Sequence, residues 1–126
     1  MNPPSKTMLY GGWIASILPV LVLLMSATMK LTHNPDMSKQ FVEKFGYADS
    51  LATPLGIVEV LCTVLYCIPA TSVLGAVLLT GYLGGAVATH VRVGDPPLAP
   101  IIVGVLVWLG LFLRDARLRE LLPLRK

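Results

Sequence analysis

Four stretches of this chain, 11–29, 54–68, 72–91 and 98–113, hold one acidic residue between them, Glu59, and no lysine or arginine. That blocking of apolar sequence limits the fold more than any motif does. Hydrophobic residues make up 55% of the 126-residue chain and charged residues 13%, against about 25% charged in ordinary soluble domains. A soluble domain of this size has too little interior to hide so much apolar surface. The first run alone is 19 residues without a charge, enough to cross a bilayer. The solvent predicted for these runs is lipid. The predicted architecture is all-α, a single domain over 1–126 forming an integral-membrane, antiparallel four-helix bundle with short connections.

Within the first run, Gly12, Ser16, Pro19, Leu23, Ser26 and Lys30 recur at spacings of three and four. They share one helical face, predicted to point at other helices. A signal peptide cut near Ser26-Ala27-Thr28 is the competing reading, but its core would exceed the usual length of about 7–15 residues. The one long polar connection, 30–50, places Met37, Phe41 and Phe45 on one stripe and Lys39, Gln40, Glu43 and Lys44 on the other side. This predicts a short amphipathic helix over 37–45, ended by Gly46 and lying at the interface or capping the bundle. Thr53-Pro54 reads as the capped start of the second run. Thr71 or Ser72 is expected to cap the third, and Gly94-Asp95-Pro96-Pro97 breaks the chain before the fourth. The fourth is expected to continue from Arg114 through Leu122 into the headgroup region and to stop at Pro123.

Four spans put both ends of the chain on one side, with Lys6, Arg114, Arg117, Arg119, Arg125 and Lys126. Lys30, Lys39, Lys44 and Arg92 lie opposite. Lysine and arginine favour the cytoplasmic side, which places both termini in the cytoplasm. The same distribution accounts for a net charge of +3 without a nucleic-acid partner. Cys62 and Cys67 point about 140° apart on one helix and cannot readily pair. The chain has no Cys-x-x-Cys, no Walker loop and no His-Glu-x-x-His, and Gly81-x-x-Gly84-Gly85 lacks the strand of a dinucleotide fingerprint. No catalytic motif is present.

Glu59 stands out because an acid inside a span is costly, and such residues mark functional sites by default. It lies about 7.5 Å along the helix axis from Pro54. Gly56, Thr63 and Tyr66 share its polar stripe, with Cys62 at the edge. In the antiparallel layout Lys30, His90 and Arg92 reach the same outer third of the bundle. His90 and Arg92 are about 200° apart on one helix, so only one faces inward. His90, the deeper, is expected to partner Glu59, while Arg92 snorkels to the headgroups or pairs with Asp95. Two readings follow. The cluster is a structural ion pair that fixes helix register, or it is a polar pocket lined by Lys30, Glu59, Thr63, Tyr82 and His90 that takes an amphiphilic, quinone-like molecule. A quinone is the one cofactor the pocket suggests. A metal is not expected, because Glu59 and His90 are the only plausible ligands.

The third run ends in Gly81-Tyr82-Leu83-Gly84-Gly85-Ala86-Val87-Ala88-Thr89-His90-Val91-Arg92. Gly81 and Gly85 lie four apart, as do Gly84 and Ala88, giving two ridges predicted to let neighbouring helices approach closely. Together with Ser26-Ala27-Thr28-Met29-Lys30-Leu31 and Pro54-Leu55-Gly56-Ile57-Val58-Glu59-Val60-Leu61, this stretch resembles the DoxX-like membrane proteins, over about residues 12–113. The resemblance implies a small four-helix protein of the bacterial inner membrane, with Lys30, Glu59 and His90 at the family's motif positions. It also implies a link to membrane redox processes, since some relatives are membrane subunits of quinone-linked sulfur oxidation or associate with redox stress systems. No enzymatic activity transfers with it. The residues leave an alternative open, a non-catalytic accessory or scaffolding subunit whose glycine ridges bind a membrane redox partner or a second copy of the chain.

Overall fold

The computed structural model describes residues 3–125, and among them every regular element is helical. Lys126, assigned above to the basic terminal side, lies outside the described residues. Ser5 caps the first helix by accepting from the Met8 amide at 3.1 Å, so α1 runs Lys6–Leu31 and begins a full turn before the apolar run does. The predicted face is the inward one: Gly12, Ser16, Pro19 and Leu23 are buried, and Ser26 and Lys30 are half-buried. The helix passes through Pro19 unbroken, as helices packed among others tolerate.

Asn34 caps α2 (Pro35–Lys39), which continues as one wider π-helical turn over Gln40–Lys44. Gly46, at φ +75°, then supplies the left-handed residue that ends it. The amphipathic segment predicted over 37–45 is therefore present, shifted by two residues at its start. Phe41 is its buried anchor, and Lys39, Gln40, Glu43 and Lys44 are exposed.

Helix α3 (Ala52–Cys67) does not start at Thr53. Thr53 lies inside the first turn, and its hydroxyl is engaged with His33 Nε2 at 2.9 Å. The next junction also differs from the sequence reading. Thr71 occupies the N-cap position of α4 (Ser72–Arg92), but neither its hydroxyl nor that of Ser72 bonds the first amides of the helix. Thr71 donates to Leu65 O at 2.7 Å, and Ser72 donates to Tyr66 O at 2.8 Å and Ile68 O at 2.9 Å. These hydroxyls satisfy the orphan carbonyls at the end of α3 rather than the orphan amides of α4.

Helix α5 (Leu98–Arg114) ends where Asp115 turns extended, and Asp115 caps a separate short α6 (Ala116–Leu121) by accepting from the Arg117 amide. The expected unbroken run into the tail is thus interrupted. A carboxylate that can accept from the new first turn starts a fresh helix there. Hydrogen bonds from the Arg117 side chain hold the Asp115 carboxyl below the usual carboxylate range.

The four long helices pack in a closed ring, α1 against α3 and α5, and α4 against α3 and α5. Cross-contacts fix their directions: Gly12 meets Arg114, Gly56 meets Leu31, Gly75 meets Tyr66, and Gly104 meets Leu83. Each helix is antiparallel to both neighbours. The first and last described residues therefore lie at one end, and the α2 segment lies at the other. The interior is filled by Leu23, Cys62, Tyr66, Leu79, Val107 and Leu111, among others. Outward faces carry Ile14, Leu21, Met25, Leu61, Val77 and Val105, each more than half exposed. A continuous apolar exterior of this kind is suited to lipid rather than water. Three helical stretches, Lys6–Leu31, Asp49–Cys67 and Pro69–Arg92, are long and apolar enough to cross a membrane; Leu98–Arg114 is a shorter apolar helix.

The glycine ridges overturn one expectation. Gly81, Gly84, Gly85 and Ala88 are exposed, and a Cβ added at any of the three glycines would meet nothing within 4 Å. They do not bring helices of this chain together. That task falls to glycines outside the ridges. A Cβ on Gly75 would meet the Tyr66 amide and lie 2.6 Å from Tyr66 Cα, and one on Gly110 would meet the Ser16 hydroxyl. Small-residue spacing marks a smooth face, but it does not say what covers that face.

Candidate functional site

The α2 end of the ring holds the polar cluster. Glu59 enters it from the second turn of α3 and is 2% exposed. Lys30, in the last turn of α1, is paired with Glu59 Oε1 at 3.1 Å. Ser26 lies one turn before Lys30 on the same face. Its hydroxyl accepts from Lys30 Nζ at 2.7 Å and donates to Glu59 Oε1 at 3.3 Å. Tyr82, from the middle of α4, donates its hydroxyl to the same oxygen at 3.1 Å, and its ring lies 5.9 Å below the ammonium. Side chains from α1 and α4 thus converge on one carboxylate oxygen of α3, through an ammonium, a phenol and an alcohol. Charge-assisted bonds of this kind are the strong class.

Two expected members lie elsewhere. His90 does not partner Glu59. Its Nδ1 is hydrogen-bonded to Ala86 O at 2.7 Å, and its ring packs against Phe45 with centroids 5.2 Å apart. The reason is depth. His90 stands eight residues beyond Tyr82, about 12 Å farther along the helix axis, so it reaches the rim rather than the floor. Thr63 is buried, but its hydroxyl donates to the Glu59 backbone carbonyl at 2.7 Å and fixes the helix behind the carboxylate. Arg92 is exposed at the end of α4 and does not pair with Asp95. It donates to Phe45 O and lies 5.4 Å over the Tyr47 ring, while Asp95 pairs with Lys44 at 2.6 Å.

Above the cluster is a cavity of about 330 Å³. Lys30 and Tyr82 form its polar floor; Phe41, Phe45, Tyr47 and Leu55 supply apolar wall, and His90 and Thr89 line it from α4. Glu59 and Thr63 are not among the lining residues. Glu59 sits behind the floor and holds Lys30 and Tyr82 in place. The exposed Gly81 and Gly85 also border the cavity, so their missing side chains leave room within it. The roof is tied to α4 by Arg92 on the Phe45 carbonyl and by a 2.6 Å bond between the Tyr47 and Thr89 hydroxyls, and to the turn after α4 by Lys44–Asp95. Phe41 stacks on Tyr47 with centroids 4.9 Å apart and completes the cover.

The chemistry available at this floor is that of one ammonium, one phenol and the carboxylate behind them. No three His, Cys, Asp or Glu side chains gather among the described residues. Such a floor orients one polar group of a ligand, and the aromatic walls accept its apolar body. Sequence reasoning missed Ser26 as a cluster member, although its place one turn before Lys30 carried the signal. It also missed Tyr47 as part of the roof, and no periodicity in the loop points to that residue.

The DoxX-like family model matches residues 14–110, which takes in α1 from its third turn, the roof, and α3 through most of α5. No curated protein and no solved structure matches the chain.

Proposed function

The chain belongs to the DoxX-like family, and from that premise we propose that it is a four-helix protein of the bacterial inner membrane that binds a small amphiphilic, quinone-like molecule. The ligand occupies the cavity over Lys30 and Tyr82, with its polar group on the floor and its apolar body against Phe41, Phe45 and Tyr47. Both termini are cytoplasmic, and the cavity lies in the outer half of the bundle. The link is to membrane redox processes, with lipid as the surroundings and no activity ascribed to the chain alone. One observation carries this reading: Lys30 and Tyr82 are held on a buried carboxylate and are at the same time two of the residues that line an aromatic-walled cavity. A purely structural pair has no need of an open face.

Glu59→Gln tests it, because the change removes the charge that holds the floor while keeping its shape. Titration of the purified protein with a short-chain benzoquinone analogue should show affinity weaker by about tenfold, the worth of one charge-assisted interaction. Unchanged affinity in a variant that inserts normally would make this reading wrong.

The exposed ridge of Gly81, Gly84, Gly85 and Ala88 favours a second reading, an accessory subunit that packs this face on another membrane protein or a second copy. A strictly monomeric species in mild detergent, with nothing co-purifying, counts against it.

A further inference from the structure

The opposite end of the ring carries an arginine that nothing described above uses. The stem of Arg114 crosses α1 at Gly12, where an added Cβ would lie 2.5 Å from Arg114 Cγ. Its guanidinium is placed 4.2 Å from the Trp13 ring centroid and 5.7 Å from that of Tyr66, and Nε donates to Gly110 O at 3.3 Å. Nη2 is buried and has no hydrogen-bond partner among the described residues. No carboxylate pairs with Arg114 among those residues. The adjacent Asp115 is committed to Arg117, which holds both of its carboxylate oxygens at 3.1 and 2.9 Å. Arginine stays charged in any protein environment. A guanidinium this enclosed, stacked on aromatic rings and lacking a counter-ion, is an incomplete anion site.

A cavity of about 340 Å³ opens beside it, bordered by Leu9, Trp13, Pro69, Arg114, Asp115 and Arg117, with the Asp115 carboxylate neutralised by its bonds from Arg117. The amino end of α4 begins at Ser72 on this cavity, and its helix dipole adds positive potential there. The setting is amphipathic: an apolar and indole wall on one side, and on the other the Arg114 guanidinium beside the Asp115–Arg117 pair. We propose that this cavity binds a phosphate anion, held by Arg114 as the fixed fork, with Arg117, still paired with Asp115, as a second cation at the rim. The two sources of that anion are the headgroup of an anionic phospholipid and the free ion. The site is on the terminal side of the ring and independent of the Lys30–Tyr82 cavity.

Native mass spectrometry of the purified protein titrated with phosphatidylglycerol, and separately with inorganic phosphate, tests the assignment. Wild type should retain one phosphatidylglycerol, and Arg114→Gln should weaken that retention by about tenfold. Arg114→Lys, which keeps the charge and loses the fork, should fall between them. Retention that millimolar inorganic phosphate does not displace assigns the site to a lipid headgroup; binding of inorganic phosphate alone assigns it to the free ion. Equal retention by wild type and both variants overturns the proposal. Should Arg114→Gln fail to fold, fluorescence of Trp13 in a Trp108→Phe background provides the second readout. Saturable change on adding either anion supports the site, and no change overturns it.

Discussion

Lys30→Met should destabilise the protein by about 3–5 kcal/mol, the cost of stripping one partner from a buried ion pair. Glu59 is 2% exposed and cannot turn to water when its ammonium is removed. Removing the ammonium leaves the buried carboxyl without its partner, and that draws on folding free energy. Tyr82 and Ser26 still donate to it, but neither replaces the charge. The converse change should be milder. In Glu59→Gln the amide oxygen keeps the Tyr82 bond, and Lys30 is 15% exposed in the last turn of α1, where it can shift toward water and gain from the helix dipole. The double variant Lys30→Met/Glu59→Gln should recover most of the loss. Thermal unfolding in detergent reads all three. Equal melting of Lys30→Met and wild type would show that the pair does not hold α1 to α3.

Gly75→Val should cost at least about 3 kcal/mol, the upper end of overpacking penalties, or prevent assembly altogether. An added Cβ there meets backbone atoms of Tyr66, not the end of a side chain that can swing aside. The turn through Pro69–Thr71 joins these two helices directly, so α3 and α4 cannot part at this point without opening the junction. Gly84→Ala is the matched contrast. Nothing lies within 4 Å of its Cβ position, and alanine in a helix interior is favoured over glycine by about 0.5–1 kcal/mol. Gly84→Ala should therefore melt slightly higher than wild type in detergent, while Gly75→Val melts far lower. A Gly84→Ala variant as damaged as Gly75→Val would mean that the exposed ridge packs against a part of the assembly outside this chain.

That contrast also marks how far the sequence could be read. Blocks of uncharged residues located the four long helices, because a charge inside a span is costly wherever it falls. Spacings of three and four found the inward face of α1 and the stripe of Gly56, Glu59, Thr63 and Tyr66, since periodicity reports direction around a helix. It does not report height. Chain direction alone brings Lys30 and Glu59 together, but it also predicts His90 as the partner of Glu59, although two helical turns separate His90 from Tyr82. Periodicity is also blind to what covers a face. The two glycine ridges and the isolated Gly75 and Gly110 look alike in sequence, yet only the latter sit against backbone or a buried hydroxyl. The break at Asp115 was hidden for another reason. Arg114 to Leu122 has good helical composition, and one capping carboxylate decides where a new helix starts.

The cavity over Lys30 and Tyr82 can be filled without disturbing the residues beneath it. Gly85 borders that cavity with open space at its Cβ position, and Gly84, its neighbour, borders the outer groove between α4 and α5 instead. Native mass spectrometry of wild type, Gly85→Leu and Gly84→Leu, each released directly from membranes, compares the two positions in one measurement. Wild type and Gly84→Leu should carry the same bound amphiphile, and Gly85→Leu should carry none while remaining folded. The same bound mass on all three proteins, or none on any, would contradict a ligand site in this cavity.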